Sequence, residues 1–161
     1  MPVLVLAIYT AIDGNIFPSI ATPYLTETNM TDLKEMTDLL YGEGEPMQGG
    51  NLTLEEAIEQ GQVFAKYKPY RIVRNWIWAD LEMDDKIVKD LERRDLKPVM
   101  IYAHEVMYDS SQRFELGNWV RTTPLTKFTP PCFFETRNTL YILVGEGKRK
   151  ATSMDAIMSI S

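Results

Sequence analysis

This chain of 161 residues holds one cysteine, Cys132, and one histidine, His104. Both scarcities exclude chemistry. A zinc site built from cysteine and histidine takes about four such ligands, more than one chain supplies here. A disulfide framework needs paired cysteines, so none forms within the chain. Long apolar runs are missing as well. The most apolar stretch, residues 3–9, ends well before Asp13, far short of the ~20 residues that a membrane helix needs. Only Met1 and Pro2 precede it, where a secretory signal would carry cations. A cytoplasmic protein without membrane contact is expected, and the single thiol agrees. There is neither a Walker loop nor a G-x-G-x-x-G, and Gly42, Gly44, Gly49 and Gly50 are wrongly spaced for both. No metal and no cofactor are expected.

Basic residues are scarce in the first 65 positions, which hold Lys34 alone against ten acidic groups, a net of −9. Residues 66–161 hold sixteen basic and thirteen acidic groups, a net of +3. The formal charge of −6 is therefore the sum of two unlike parts. Halves of opposite sign invite an interaction hypothesis, with plain solubility as the simpler alternative. If the acidic part docks on a basic partner, Asp32, Glu35, Glu55, Glu56 and Glu59 are the binding residues to expect.

What is present suits a globular domain: 45% hydrophobic and 25% charged residues, in a length that one core can serve. The β-prone residues 3–10 predict a strand, with Asp13-Gly14-Asn15 as its turn. Pro18 and Pro23 keep any following strand short or at an edge. Residues 1–29 are read as an N-terminal extension or a short hairpin, with Met30 as an alternative natural start. Residues 30–161 form one domain. Thr31 can cap a helix over 32–41. The Gly-rich segment 42–51 reads as a flexible loop. Thr53 and Glu56 have capping-box spacing for a helix to about Tyr67, with Leu54, Ala57, Ile58 and Phe64 toward the core. A strand over 70–78 puts Tyr70, Ile72, Trp76 and Trp78 on one face. A helix opens at Asp84-Asp85 and closes at Arg93-Arg94, burying Ile87, Val88 and Leu91. Strands follow over 98–107 and 117–123. Residues 132–136 and 139–144 suggest a tight hairpin around Arg137-Asn138. The tail is a strand or a short helix capped by Ser153. This order predicts an α+β single domain, a mostly antiparallel sheet of about five strands with two to three helices packed on it.

Candidate chemistry is thin. His104 is the only imidazole available as a general base, and Asp109, Ser110 and Ser111 follow it. Neighbours in sequence do not make a triad, and a half-buried strand histidine is the plainer reading. Cys132 sits between Pro131 and Phe133, surroundings that favour an inert packed thiol. Asp80, Glu82, Asp84 and Asp85 do not match a calcium loop. Lys66, Lys68, Arg71 and Arg74 interleave with Tyr67, Tyr70, Trp76 and Trp78, a pattern that single-stranded nucleic-acid binders use. Aromatics on a strand are more often core. Glu135 and Arg137 would share a strand face if the strand ran through both.

Asn118-Trp-Val-Arg-Thr-Thr-Pro-Leu125, followed by Cys132-Phe-Phe-Glu-Thr-Arg-Asn-Thr-Leu-Tyr-Ile-Leu-Val-Gly145, resembles a family of small uncharacterised bacterial and prophage proteins. The resemblance covers about residues 70–150. It implies a cytoplasmic protein of phage or mobile-element association and carries over no catalytic residue. Two functions remain open. One is a phage- or prophage-type accessory protein that binds a host protein, as an inhibitor of a bacterial defence complex would. The other is a small nucleic-acid binder or an enzyme using the β-rich C-terminal half, with His104, Glu135, Arg121 and Arg137 as the residues to watch. Catalysis is the less favoured of these.

Overall fold

A computed structural model describes residues 9–12, 15–18 and 27–160, with side chains from residue 33 onward. Ten strands and four helices lie among the described residues. β1 (Tyr9–Ile12) and β2 (Asn15–Pro18) pair antiparallel as a two-stranded sheet. The expected strand over 3–10 lies outside the described residues for positions 3–8, as does the turn at Asp13-Gly14. α1 (Glu27–Tyr41) begins before Thr31, which lies within the helix and is no cap. β3 (Glu45–Gln48) follows, then α2 (Leu54–Phe64), β4 (Tyr70–Glu82), α3 (Asp85–Arg93) and β5 (Val99–Asp109). The C-terminal part holds β6 (Val120–Arg121), β7 (Lys127–Thr129), β8 (Phe133–Glu135), β9 (Leu140–Leu143), β10 (Glu146–Ser153) and α4 (Met154–Met158).

The fold is α+β, as expected, but its main sheet is mixed and has eight strands, curled into a half-barrel. β4 is the central strand. β5 lies antiparallel along one edge, while β9 and β10 lie parallel along successive halves of the other. The length of β4, 13 residues, makes that sharing feasible. Residues 120–129 pass from one neighbour to another: β6 pairs with β5 and β7 pairs with β8. Leu125 accepts from Lys97 N at 2.8 Å, and Thr126 N donates to Glu135 O at 2.8 Å. These bonds draw the curl back toward β5.

Within the Gly-rich segment 42–51, read from the sequence as a flexible loop, residues 45–48 form β3 and Gly50 bridges to Val144. β3 pairs antiparallel with β10, and Gly49 N and Gly50 N donate to Gly145 O and Leu143 O, each at 2.8 Å. Glycine is required there by close approach: a Cβ on Gly49 would run into the Leu143 carbonyl, and one on Gly50 would stand 2.9 Å from Cys132 Sγ.

The expected single face of β4 is also corrected. Tyr70 pairs with Leu140 and Ile72 with Ile142, and Ile142 pairs with Phe133, so Ile72 and Phe133 share a face. The next residue, Phe134, points the other way and meets Trp78 edge-on at 5.5 Å. Ile72 and Trp78 therefore lie on opposite faces. Two irregularities fall between them: the β4–β5 register shifts between Ile72 and Val73, and Asn75, with a φ of 53°, is left out of the pairing. The hairpin at Arg137-Asn138 forms, closed by Thr136 N donating to Thr139 O at 2.9 Å, without positive φ at either central residue.

Two apolar clusters result. One is continuous around β4, from Ala57 of α2, Tyr70 and Phe133 to Trp78 and Phe134. The other packs Leu39 and Leu40 of α1 with Ile157 against Ile77, Ala79 and Leu81. Leu54, Phe64 and Ile87, expected in the core, are exposed. The tail is both a strand and a short helix, with Ser153 Oγ accepting from Ala156 N at 3.0 Å.

Candidate functional site

The structure separates the residues singled out from the sequence. His104 faces Asn75 across the interrupted ladder, with its ring 4.9 Å from Tyr102 and 6.1 Å from Tyr41. A shallow depression of about 410 Å³ beside it also holds Glu146 and Lys148. Burial pulls the imidazole below its ordinary pKa, a hydrogen bond with the Leu40 backbone opposes this, and the Lys148 charge adds to it. Asp109, the carboxylate that a Ser/His/Asp reading would use, is spent elsewhere. Its two oxygens accept from Ser111 N, Ser111 Oγ, Arg113 N and Phe114 N at 2.8–3.0 Å. Arg71 Nε lies 3.4 Å away. Burial alone would raise the Asp109 carboxyl, but these hydrogen bonds and the Arg71 charge outweigh it and hold the group below its usual value. Burial pushes the Cys132 thiol up to about 11, which suits packing and not nucleophilic attack.

The other candidates are similarly engaged. Arg121 Nη1 donates to Ile157 O, Met158 O and Ile160 O at 2.9–3.2 Å, so it ties down the end of α4. Glu135 and Arg137 do not share a strand face, because β8 ends at Glu135. Glu135 lies 3.8 Å from Lys68 Nζ, and Arg137 donates to Arg94 O at 3.3 Å. The Asp32 side chain lies outside the described residues. Glu35 accepts from Ser153 Oγ at 2.9 Å. Glu56 completes the capping box with Thr53, and Glu55 and Glu59 are exposed on α2. α1 and α2 pack on different apolar clusters. Asp80 is paired with Arg149 through two hydrogen bonds of 2.7 and 3.0 Å, and no metal-holding group occurs among the described residues.

The basic and aromatic run at 66–78 is split by the fold. Tyr70, Trp76 and Trp78 are buried. Arg71 is buried between Tyr141 and Phe114, and Arg74 forms a two-pronged pair with Glu105 at 2.7 and 2.9 Å. The paired Arg74 is exposed elsewhere on the sheet, while Lys66, Tyr67 and Lys68 stay together at the surface on the turn that leaves α2. There they border a cleft of about 740 Å³ with Val63, Phe64 and, from β7, Lys127. Tyr67 is fully exposed, Val63 is 73% exposed and Phe64 48%. Phe64 is nevertheless fixed, since its ring stacks on Phe133 at 4.1 Å. Lys66 has a φ of 56°, the left-handed position after a helix end that glycine normally takes.

The cleft joins residues about sixty positions apart, so no local pattern announces Val63 or Lys127. The signal open to sequence reasoning is narrower: an aromatic between two lysines, just past a helix that lacks a terminal glycine.

One family model, Domain of unknown function (DUF6957), matches residues 48–159. No curated protein and no solved structure matches the chain.

Proposed function

The chain belongs to the DUF6957 family, and we propose that it acts by binding a host protein, as a cytoplasmic accessory factor of phage or prophage type, and not by catalysis. The observation that carries this reading is the exposed ridge of Val63, Phe64 and Tyr67 at the end of α2. Adjacent exposed apolar side chains with a polar rim are characteristic of interaction surfaces, and tyrosine is prominent among residues that anchor them. Of the residues offered for catalysis, Asp109, Glu135, Arg121 and Cys132 are each engaged or buried within the fold. Interference with a defence complex is one form that such binding would take.

Affinity capture from bacterial lysate tests the reading, with wild type beside Tyr67→Ala and Val63→Asp. A protein retained by wild type and lost by both variants is expected. Capture of the same proteins by all three, or of none, argues against it. A second reading, single-stranded nucleic-acid binding, is favoured by Tyr67 standing between Lys66 and Lys68 beside Lys127. A gel-shift with single-stranded DNA and RNA at low salt addresses it.

A further inference from the structure

We infer that the cleft between the last turn of α2 and the β7–β8 pair docks a short acidic peptide segment carrying an apolar or aromatic side chain. The inference rests on the protein-binding reading above and names the partner's chemistry. Three features of one small surface lead to it.

The first is charge. Lys66, Lys68 and Lys127 line the cleft against a single carboxylate, Glu135, which already lies 3.8 Å from Lys68 Nζ. Lys68 Nζ also donates to Thr136 O at 3.1 Å. Among the described residues, Lys66 and Lys127 enter no ion pair. Two ammonium groups are thus available to a carboxylate-bearing ligand.

The second is a fixed apolar wall. Phe64 is held by its stack on Phe133, so the ring is in place before a ligand arrives. Val63 and Tyr67 extend that wall into solvent. Pre-ordered contact area lowers the entropy lost on binding.

The third is strain. Lys66 occupies a left-handed backbone conformation that costs a side-chain-bearing residue free energy and glycine very little. A lysine at such a position places its cation at the cleft mouth against local conformational preference.

A peptide fits these features better than a nucleic acid. Glu55, Glu56 and Glu59 lie on the same helix outside the cleft lining, so a polyanion long enough to run along α2 would meet carboxylates, whereas a short segment confined to the cleft would not. A cleft of about 740 Å³ suits a few residues rather than a long polymer.

The experiment is a selection of random octapeptides on the whole chain, followed by anisotropy titration of the enriched sequences. Enrichment of acidic peptides with an aromatic or large apolar residue is expected. Their affinity should fall at least tenfold in Lys66→Glu and in Tyr67→Ala, and should weaken as salt is raised. Lys66→Gly should raise the thermal midpoint while weakening binding, a split that a purely structural lysine would not give. Enrichment of basic or uncharged peptides, unchanged affinity in the variants, no enrichment, or tighter binding of single-stranded oligonucleotides would each overturn the inference. A host partner captured from lysate equally by wild type and Lys66→Glu would remove this peptide chemistry while leaving protein binding in place. Loss of all capture would remove both.

Discussion

Lys66-Tyr67-Lys68 and Arg71 lie within six residues and look alike in the sequence, yet they meet opposite fates. Arg71 enters the sheet, is 5% exposed, and spends its charge on Asp109, Tyr141 and Phe114. Tyr67 stays outside with both lysines, at the mouth of the cleft beside β7. The strand start at Tyr70 divides them. A cation carried into a sheet must find a counter-charge or destabilise the fold, whereas one left on a turn is free to meet a partner. Alternating basic and aromatic residues therefore do not define a binding surface until the backbone has sorted them.

That contrast can be broken most forcefully from the inside. Asp109→Ala leaves Arg71 buried without its counter-charge and strips the turn after β5 of four hydrogen bonds. A loss of about 3–5 kcal/mol in urea unfolding is expected. A loss near zero would show that Arg71 is hydrated and that the two regions differ less than described.

The same carboxylate gives a pH signature. Its folded pKa lies below the unfolded value of about 3.9, so its stabilisation is present above that pH and lost as pH falls through the folded pKa. Stability should decline below about pH 4 in wild type, with a flatter acid limb in Asp109→Asn. Parallel acid limbs in the two proteins would assign the decline to other carboxylates.

Smaller effects belong to the outer region. Thr53→Ala removes half of the capping box at the start of α2 and should cost about 1 kcal/mol, without unfolding the sheet. Lys66→Gly should gain about 0.5–1 kcal/mol by relieving the left-handed backbone. Tyr67→Ala should change stability by no more than about 0.5 kcal/mol, as expected of a fully exposed side chain. Chemical denaturation reads all three, and a large loss from Tyr67→Ala would mean that the ring is structural.

What could be read from the sequence follows the range of the interactions. The capping box at Thr53 and Glu56, the Ser153 cap and the long strands around 70 and 100 depend on neighbours a few residues away, and they form as expected. Gly49 and Gly50 were misleading because their reason lies some ninety residues off, at Leu143, Gly145 and Cys132. The face of β4 is not legible by alternation, because the register shifts between Ile72 and Val73 and Asn75 takes a positive φ. Arg121 looked free because its three acceptors are carbonyls at the far C-terminal end. The parallel pairing of β4 with β9 and β10, which makes the sheet mixed, is non-local in the same way.

The most direct test of the central claim is an amide chemical-shift titration of the isotope-labelled chain with an acidic, aromatic-bearing octapeptide taken from the selection. Saturable shifts confined to residues 63–68 and 127–135, lost in Tyr67→Ala, are expected. Shifts centred on His104 and residues 146–148, or on α1, would contradict it.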